Sequence, residues 1–141
     1  EKACEAFKET LRERGLQSDK PQDAIKYMPS EDNQYHITTP RYHDFRLALA
    51  IFARHGIVID TIAGQKRIQV KFTYVFKEGE TIEAVQAKVD ALNDINVRYT
   101  YPNIVNKSQR FFMVDMPTQD LDKNISEIEG MQFKTQFIHN Y

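Results

Sequence analysis

The chain has 141 residues, 41% apolar and 28% charged, with a formal net charge of −1. That length suits a domain with a real hydrophobic core, and the composition excludes a disordered, collagen-like or disulfide-built chain. Cys4 stands alone, which excludes an intramolecular disulfide and any multi-cysteine metal site. No apolar run approaches the roughly 18–20 residues of a membrane span. No signal-peptide pattern is present, and the expected setting is the reducing cytoplasm. The sequons at Asn106 and Asn124 matter only in a secreted chain. Charge is unevenly spread: residues 41–112 carry 11 Lys/Arg against 7 Asp/Glu, while both flanking segments are acidic. This is a mild bias, short of the strongly basic domain that announces a nucleic-acid binder.

In chain order, residues 1–14 read as a helix with Ala3, Cys4, Phe7 and Leu11 on one stripe and Gly15 as its stop. Ser18-Asp19-Lys20-Pro21 looks like a second helix start, running to about Met28 before Pro29. The polar stretch at 30–34 is the expected boundary between an N-terminal helical arm, 1–30, and a single α+β domain, 31–141. A short strand is expected at Gln34–Thr38. Thr39-Pro40 then starts a helix through His55, with Phe45, Leu49 and Phe52 on its stripe and Gly56 as its end.

Ile57–Ile62 reads as a strand, turned by Ala63-Gly64-Gln65 into a long alternating strand, KRIQVKFTYVF, at 66–76. Ile82, Val85, Val89 and Leu92 repeat at helical spacing behind Thr81, a natural cap. Ile95–Tyr101 alternates as a strand that Pro102 ends or places at an edge. Arg110–Met116 is a further strand. Pro117-Thr118 opens a helix carrying Leu121, Ile125 and Ile128, closed by Gly130, and Met131–Ile138 is the last strand.

Two four-strand frames fit this order, one beginning with the strand at 34 and one with the strand at 67. The later, whose elements are the more strictly periodic, is preferred and reads β-α-β-β-α-β, the ferredoxin-like split arrangement of an antiparallel sheet with helices on one face. The helix at 40–55, flanked by strands at 34–38 and 57–62, is an added strand-helix-strand unit, its second strand hairpinned to the strand at 67. Ile68, Val70, Phe72, Tyr74, Val97, Tyr99, Met131, Phe133 and Phe137 are then expected to face the helices and build the core. The strand at 109–116 leaves open whether Phe112 and Val114 or Phe111 and Met113 lie inside.

Catalytic patterns are sparse. His36-Ile37-Thr38 is the His-x-Thr triplet that 2H phosphoesterases use in pairs, but no second triplet exists to supply the partner acid or base. The histidines match no metal spacing, and there is no Gly-x-Ser-x-Gly motif and no phosphate-cradling glycine loop. Carboxylates gather at helix starts and on solvent faces, where the helix dipole and solubility account for them. Expectation: no enzyme, no cofactor and no metal.

The face away from the helices is expected to present Arg67, Gln69, Lys71, Thr73, Asn96, Arg98, Thr100, Gln132, Lys134 and Gln136, with no carboxylate. Long cationic and amide side chains contact phosphates and bases, and a Phe at 111 or 112 would stack on a base. In architecture this resembles the RNA-recognition motifs. The Lys/Arg-Gly-aromatic signature of those motifs is absent, because Gln109-Arg110-Phe111-Phe112 contains no glycine.

The reading is therefore a non-catalytic binding protein, a small regulator contacting RNA or single-stranded DNA. Arg67, Lys71, Arg98, Arg110 and Lys134 would supply the phosphate contacts. The alternative is a protein–protein adaptor or inhibitor, or a homodimer, using the sheet edge or the N-terminal helices. A merely solvated polar face is the plainest reading of such a pattern.

Overall fold

The computed structural model describes residues 2–13, 26–29, 34–39 and 43–139. Its contacts divide the chain into two compact units, Glu1–Ile57 and Val58–Tyr141. The sequence reading placed its boundary at 30/31.

The first unit contains α1 (Lys2–Glu13), β1 (Lys26–Pro29), β2 (Tyr35–Thr38) and α2 (His43–Arg54). Ala3, Ala48, Ile51 and Phe52 are buried together, with Ala6, Ile37, Leu47 and Ile57 packed around them. Alanines from both helices let the two backbones approach, and aliphatic and aromatic groups fill the remainder. Gly56 adopts φ +70°, and α2 ends in a Schellman turn. Gly56 N–H donates to Ala53 O at 3.0 Å and Ile57 N–H to Phe52 O at 3.0 Å. Only glycine takes that backbone conformation without steric cost.

β1 corrects the sequence reading, which had a helix running to Met28. Lys26–Pro29 pairs antiparallel with Tyr35–Thr38, Lys26 opposite Thr38 and Pro29 opposite Tyr35. Pro29 disfavours a helical conformation at Met28, and an adjacent strand supplies hydrogen-bond partners. The expected start of that helix, residues 18–25, and the side chains of Cys4, Phe7 and Leu11 lie outside the described residues.

The second unit contains β3 (Arg67–Val75), α3 (Ile82–Asp90), β4 (Asn96–Pro102), β5 (Gln109–Pro117), α4 (Leu121–Gly130) and β6 (Lys134–His139). The four strands form one sheet in the order β4-β5-β3-β6, and every neighbouring pair is antiparallel. Thr81 caps α3 as its sequence implies, its Oγ1 accepting the Ala84 N–H at 3.1 Å. Val85 and Val89 of α3, and Leu121, Ile125 and Ile128 of α4, are buried, as the helical spacing required. They share a core with Ile68, Val70, Phe72 and Tyr74 of β3 and Phe112, Val114 and Met116 of β5. Phe133 is the aromatic hub, with ring centres 4.7 Å from Tyr74, 5.4 Å from Phe112 and 6.2 Å from Phe72.

Two elements differ from expectation. Residues 57–61 form no strand; only Ile62 makes an isolated bridge to Gln65. The expected hairpin partner, β3, already has both sides occupied by β5 and β6. The segment is tied down instead by buried Thr118, whose hydroxyl lies 2.7 Å from Asp60 O and 3.1 Å from Lys66 O. Gly130 is the last residue of α4 rather than its left-handed stop, and Gln132 takes that conformation at φ 73°.

Candidate nucleic-acid interface

The face of the sheet away from this core is set by two irregularities in its outer strands. In β4, Val97 pairs with Val114 and Tyr99 with Met113, leaving Arg98 as an extra residue. In β6, Thr135 pairs with Phe72 and Phe137 with Lys71, leaving Gln136 extra. Side chains alternate along a strand, so one inserted residue moves everything beyond it to the opposite face. Tyr99 and Phe137, expected in the core, therefore lie on the outer face and are 52% and 40% exposed. Phe112 is fully buried and Phe111 faces outward, which resolves the alternative at β5.

The outcome is an aromatic surface. Tyr101 lies opposite Phe111 in the β4–β5 ladder, with ring centres 5.0 Å apart, and Tyr99 stacks beside Tyr101 at 6.2 Å. Lys71 rises from β3 among these rings. Its Nζ is 4.3 Å from the Phe111 ring centre, 5.4 Å from Tyr101 and 5.9 Å from Phe137, within cation–π range of each. Met113, opposite Lys71, is buried beneath this layer. Thr73 is buried too, donating to Lys134 O at 3.4 Å and accepting from Gln136 Nε2 at 3.2 Å.

At one end of the face lies a carboxylate, contrary to the expectation of none. Asp115 pairs across from Gln69 and is 6% exposed. Arg67 donates Nε to Asp115 Oδ2 at 2.7 Å and Nη1 to Asp94 Oδ1 at 2.8 Å. Arg98 reaches the same Asp115 oxygen at 3.6 Å. A deeply placed carboxylate needs such partners, because burial of an unpaired charge is costly.

The five cations singled out from sequence thus divide. Lys71 sits at the centre of the rings, and Lys134 pairs opposite Thr73 on the same face. Arg67 and Arg98 converge on Asp115. Arg110 lies opposite Tyr74, in the other row of β5, and donates Nε to Thr100 Oγ1 at 3.3 Å. Thr100, expected on the outer face, pairs with buried Phe112 as a consequence of the same insertion in β4.

Sequence reasoning missed Tyr99, Tyr101 and Phe137 as surface residues. Strict alternation assigned two of them inward, and nothing local to either strand marks the inserted residue. Elsewhere His36 is exposed on β2, opposite Met28. Among the described residues no cluster of His, Cys, Asp and Glu is placed to hold a metal ion, and no helix is long and apolar enough to cross a membrane. No protein-family model, curated protein or solved structure matches the chain.

Proposed function

We propose that the second unit is a non-catalytic module that binds single-stranded nucleic acid, RNA or DNA, on the face of Tyr99, Tyr101, Phe111 and Phe137. The observation carrying this reading is the convergence of Tyr101, Phe111 and Phe137 around Lys71, with Tyr99 stacked beside Tyr101. Planar rings receive bases by stacking, worth about 1–3 kcal/mol per base, and a cation among them meets the phosphates between bases. Lys134 and Arg98 extend the cationic path, while Gln69 and Gln136 supply amide groups for base edges. Strand order β4-β5-β3-β6, with one helix between β3 and β4 and another between β5 and β6, supports the split β-α-β-β-α-β arrangement. In that architecture the open sheet face is the surface left for a ligand.

A second reading has one observation in its favour. Exposed Tyr99 pairs with Met113, and exposed Phe137 lies further on, opposite Lys71; aromatic residues and methionine are enriched at the centres of protein interfaces. Salt separates the two readings, since phosphate contacts release counterions and apolar docking does not. The test is fluorescence-anisotropy titration with mixed single-stranded RNA and DNA pools at two salt concentrations. Wild type is compared with Tyr99→Ala/Phe137→Ala, two substitutions at exposed positions. Salt-sensitive binding that the double variant loses while staying folded supports the proposal. Absence of binding at low salt sinks it and turns attention to a protein partner.

A further inference from the structure

The β4–β5 ladder continues past Tyr101 and Phe111 to Asn103 and Gln109, where Asn103 N–H donates to Gln109 O at 2.9 Å. The β3–β5 ladder runs without a shift from Phe111 to Gln109. Gln109 therefore lies in the same outward row as Phe111, two residues or roughly 7 Å along the strand. Its long side chain is within reach of the edge of a base stacked on Tyr101 and Phe111.

The orientation of the Gln109 amide is dictated from the backbone. Asn103 Oδ1 accepts the Val105 N–H at 3.0 Å and the Asn106 N–H at 3.3 Å. Both partners are donors and can be met only by an oxygen, so the Asn103 amide cannot be turned over. Its Nδ2 consequently faces Gln109 and donates to Oε1 at 2.7 Å. The Gln109 amide is fixed in turn, with its oxygen held by Asn103 and its Nε2, which carries two donors, turned away. Among the described residues no group accepts from that Nε2. An unconstrained glutamine turns over to suit either kind of base edge; this one offers donors.

Bases divide on that point. Guanine and uracil or thymine carry a keto oxygen, an acceptor, where adenine and cytosine carry an amino group, a donor. A free glutamine pairs with adenine by giving an N–H and accepting from the amino group at once. With Oε1 held by Asn103, Gln109 cannot make the second of those bonds. The selection needs no net charge at this end of the sheet, where a Phe76 N–H to Ser108 O bond of 2.9 Å brings the turn carrying Glu78 and Glu80 to the hairpin.

We infer that Gln109, oriented by Asn103, selects keto bases at the position over Tyr101 and Phe111. This rests on the single-strand reading above and names the bases that the face takes.

The experiment uses anisotropy titrations with single-stranded probes that exchange keto for amino on a ring of one size. Oligo-uridine is compared with oligo-cytidine, and one mixed strand carrying hypoxanthine with the same strand carrying adenine, each also made as DNA with deoxyuridine for uridine. Wild type should prefer the keto member of each pair by about fivefold, the size of one hydrogen bond between neutral groups. Gln109→Met keeps the side-chain length without the amide and should bind both members alike. Asn103→Asp still offers an oxygen to Val105 and Asn106 N–H but presents a second oxygen to Gln109, so the glutamine must turn over. Its preference should invert toward the amino bases, with a lower affinity for every probe from the added charge. Melting curves check that both variants fold, and Gln109→Met alone decides the matter if Asn103→Asp does not. Equal binding of keto and amino probes by wild type overturns the inference and leaves the sheet-face reading intact, since stacking and phosphate contacts ignore that difference. So does a keto preference that survives in Gln109→Met or in folded Asn103→Asp. No binding of any probe removes the sheet-face reading and the base selection with it.

Discussion

Lys71 and Phe111 sit on neighbouring strands with the lysine ammonium 4.3 Å from the ring centre, so a cation covers an aromatic face that would otherwise meet water. The lysine stem buries apolar surface while its charge is held by ring quadrupoles rather than by a carboxylate. That charge is consequently available to a phosphate in a way that Arg67, engaged by Asp94 and Asp115, is not.

Replacing Lys71 with Met keeps the stem and removes the charge. The expected cost in stability is small, about 1 kcal/mol, the size of a partly exposed cation–π contact. Oligonucleotide affinity should fall, and the slope of log affinity against log salt should lose about one unit. Urea unfolding reads the first effect and anisotropy at several salt concentrations the second.

Phe133 and Phe137 have the same parity near the C-terminus, and strict alternation would bury both. With Gln136 inserted between them, only Phe133 is in the core. Phe133→Ala should therefore cost about 3–5 kcal/mol, in the range of buried Phe truncations. Phe137→Ala should cost less than about 1 kcal/mol, as at an exposed position. Equal losses in denaturant midpoint would show that the two rings share a face.

Asp115→Asn tests the ion-pair end. The carboxylate is deep, but Arg67 is about one-third exposed, so solvent screening reduces the loss to about 1–3 kcal/mol. Binding should move the other way. Arg67 and Arg98 would lose their shared counter-charge, and affinity for single-stranded oligonucleotides should rise, most at low salt. Melting curves and low-salt titrations of the same variant give the two signs.

Glu80 sets an acid-side dependence. Its carboxylate accepts the Lys77 N–H at 3.0 Å and the buried Tyr74 hydroxyl at 2.9 Å, which hold it below the usual carboxylate range. A lowered folded-state value stabilises the fold above the ordinary glutamate range, and the contribution is lost as pH falls through the folded value. Tyr74 is shifted upward, first by burial and then by Glu80. Its contribution is full below the usual tyrosine range and is lost as pH rises through the higher folded value. Glu80→Gln should be less stable than wild type at neutral pH, with the gap narrowing as the solution is acidified. Denaturant midpoints across the acid range measure it.

Thr135 lies opposite Phe72, and among the described residues its buried Oγ1 has no hydrogen-bond partner. Thr135→Val replaces the hydroxyl by a methyl of similar shape and should stabilise the fold by about 1 kcal/mol. A lower melting temperature for the valine variant would mean the hydroxyl is satisfied in solution.

Much of the second unit is legible in the sequence because its signals are local. Thr81 and the spacing of Ile82, Val85 and Val89 define α3, and Ile68–Tyr74 defines the inward row of β3. Gly56 likewise marks the end of α2. What was not legible depends on partners rather than on pattern. Residues 57–62 have strand-like composition, yet both sides of β3 were already taken. Arg98 and Gln136 look like ordinary members of alternating strands until β5 and β3 fix which residues they face. The candidate face was legible only in part for the same reason: its cations were visible, while two of its rings, Tyr99 and Phe137, were assigned to the core.

The same two inserted residues act on the rims of the sheet. β4 and β6 are its outer strands, and each carries one irregularity in its hydrogen-bond ladder. An incoming chain seeking to extend the sheet meets a row of donors and acceptors out of step with its own, and on β4 it also meets Pro102, which has no N–H to offer. Bulges and prolines at rims are how β-proteins discourage edge-to-edge association. The device that turns aromatic rings outward therefore also guards against the self-association that such rings would otherwise invite.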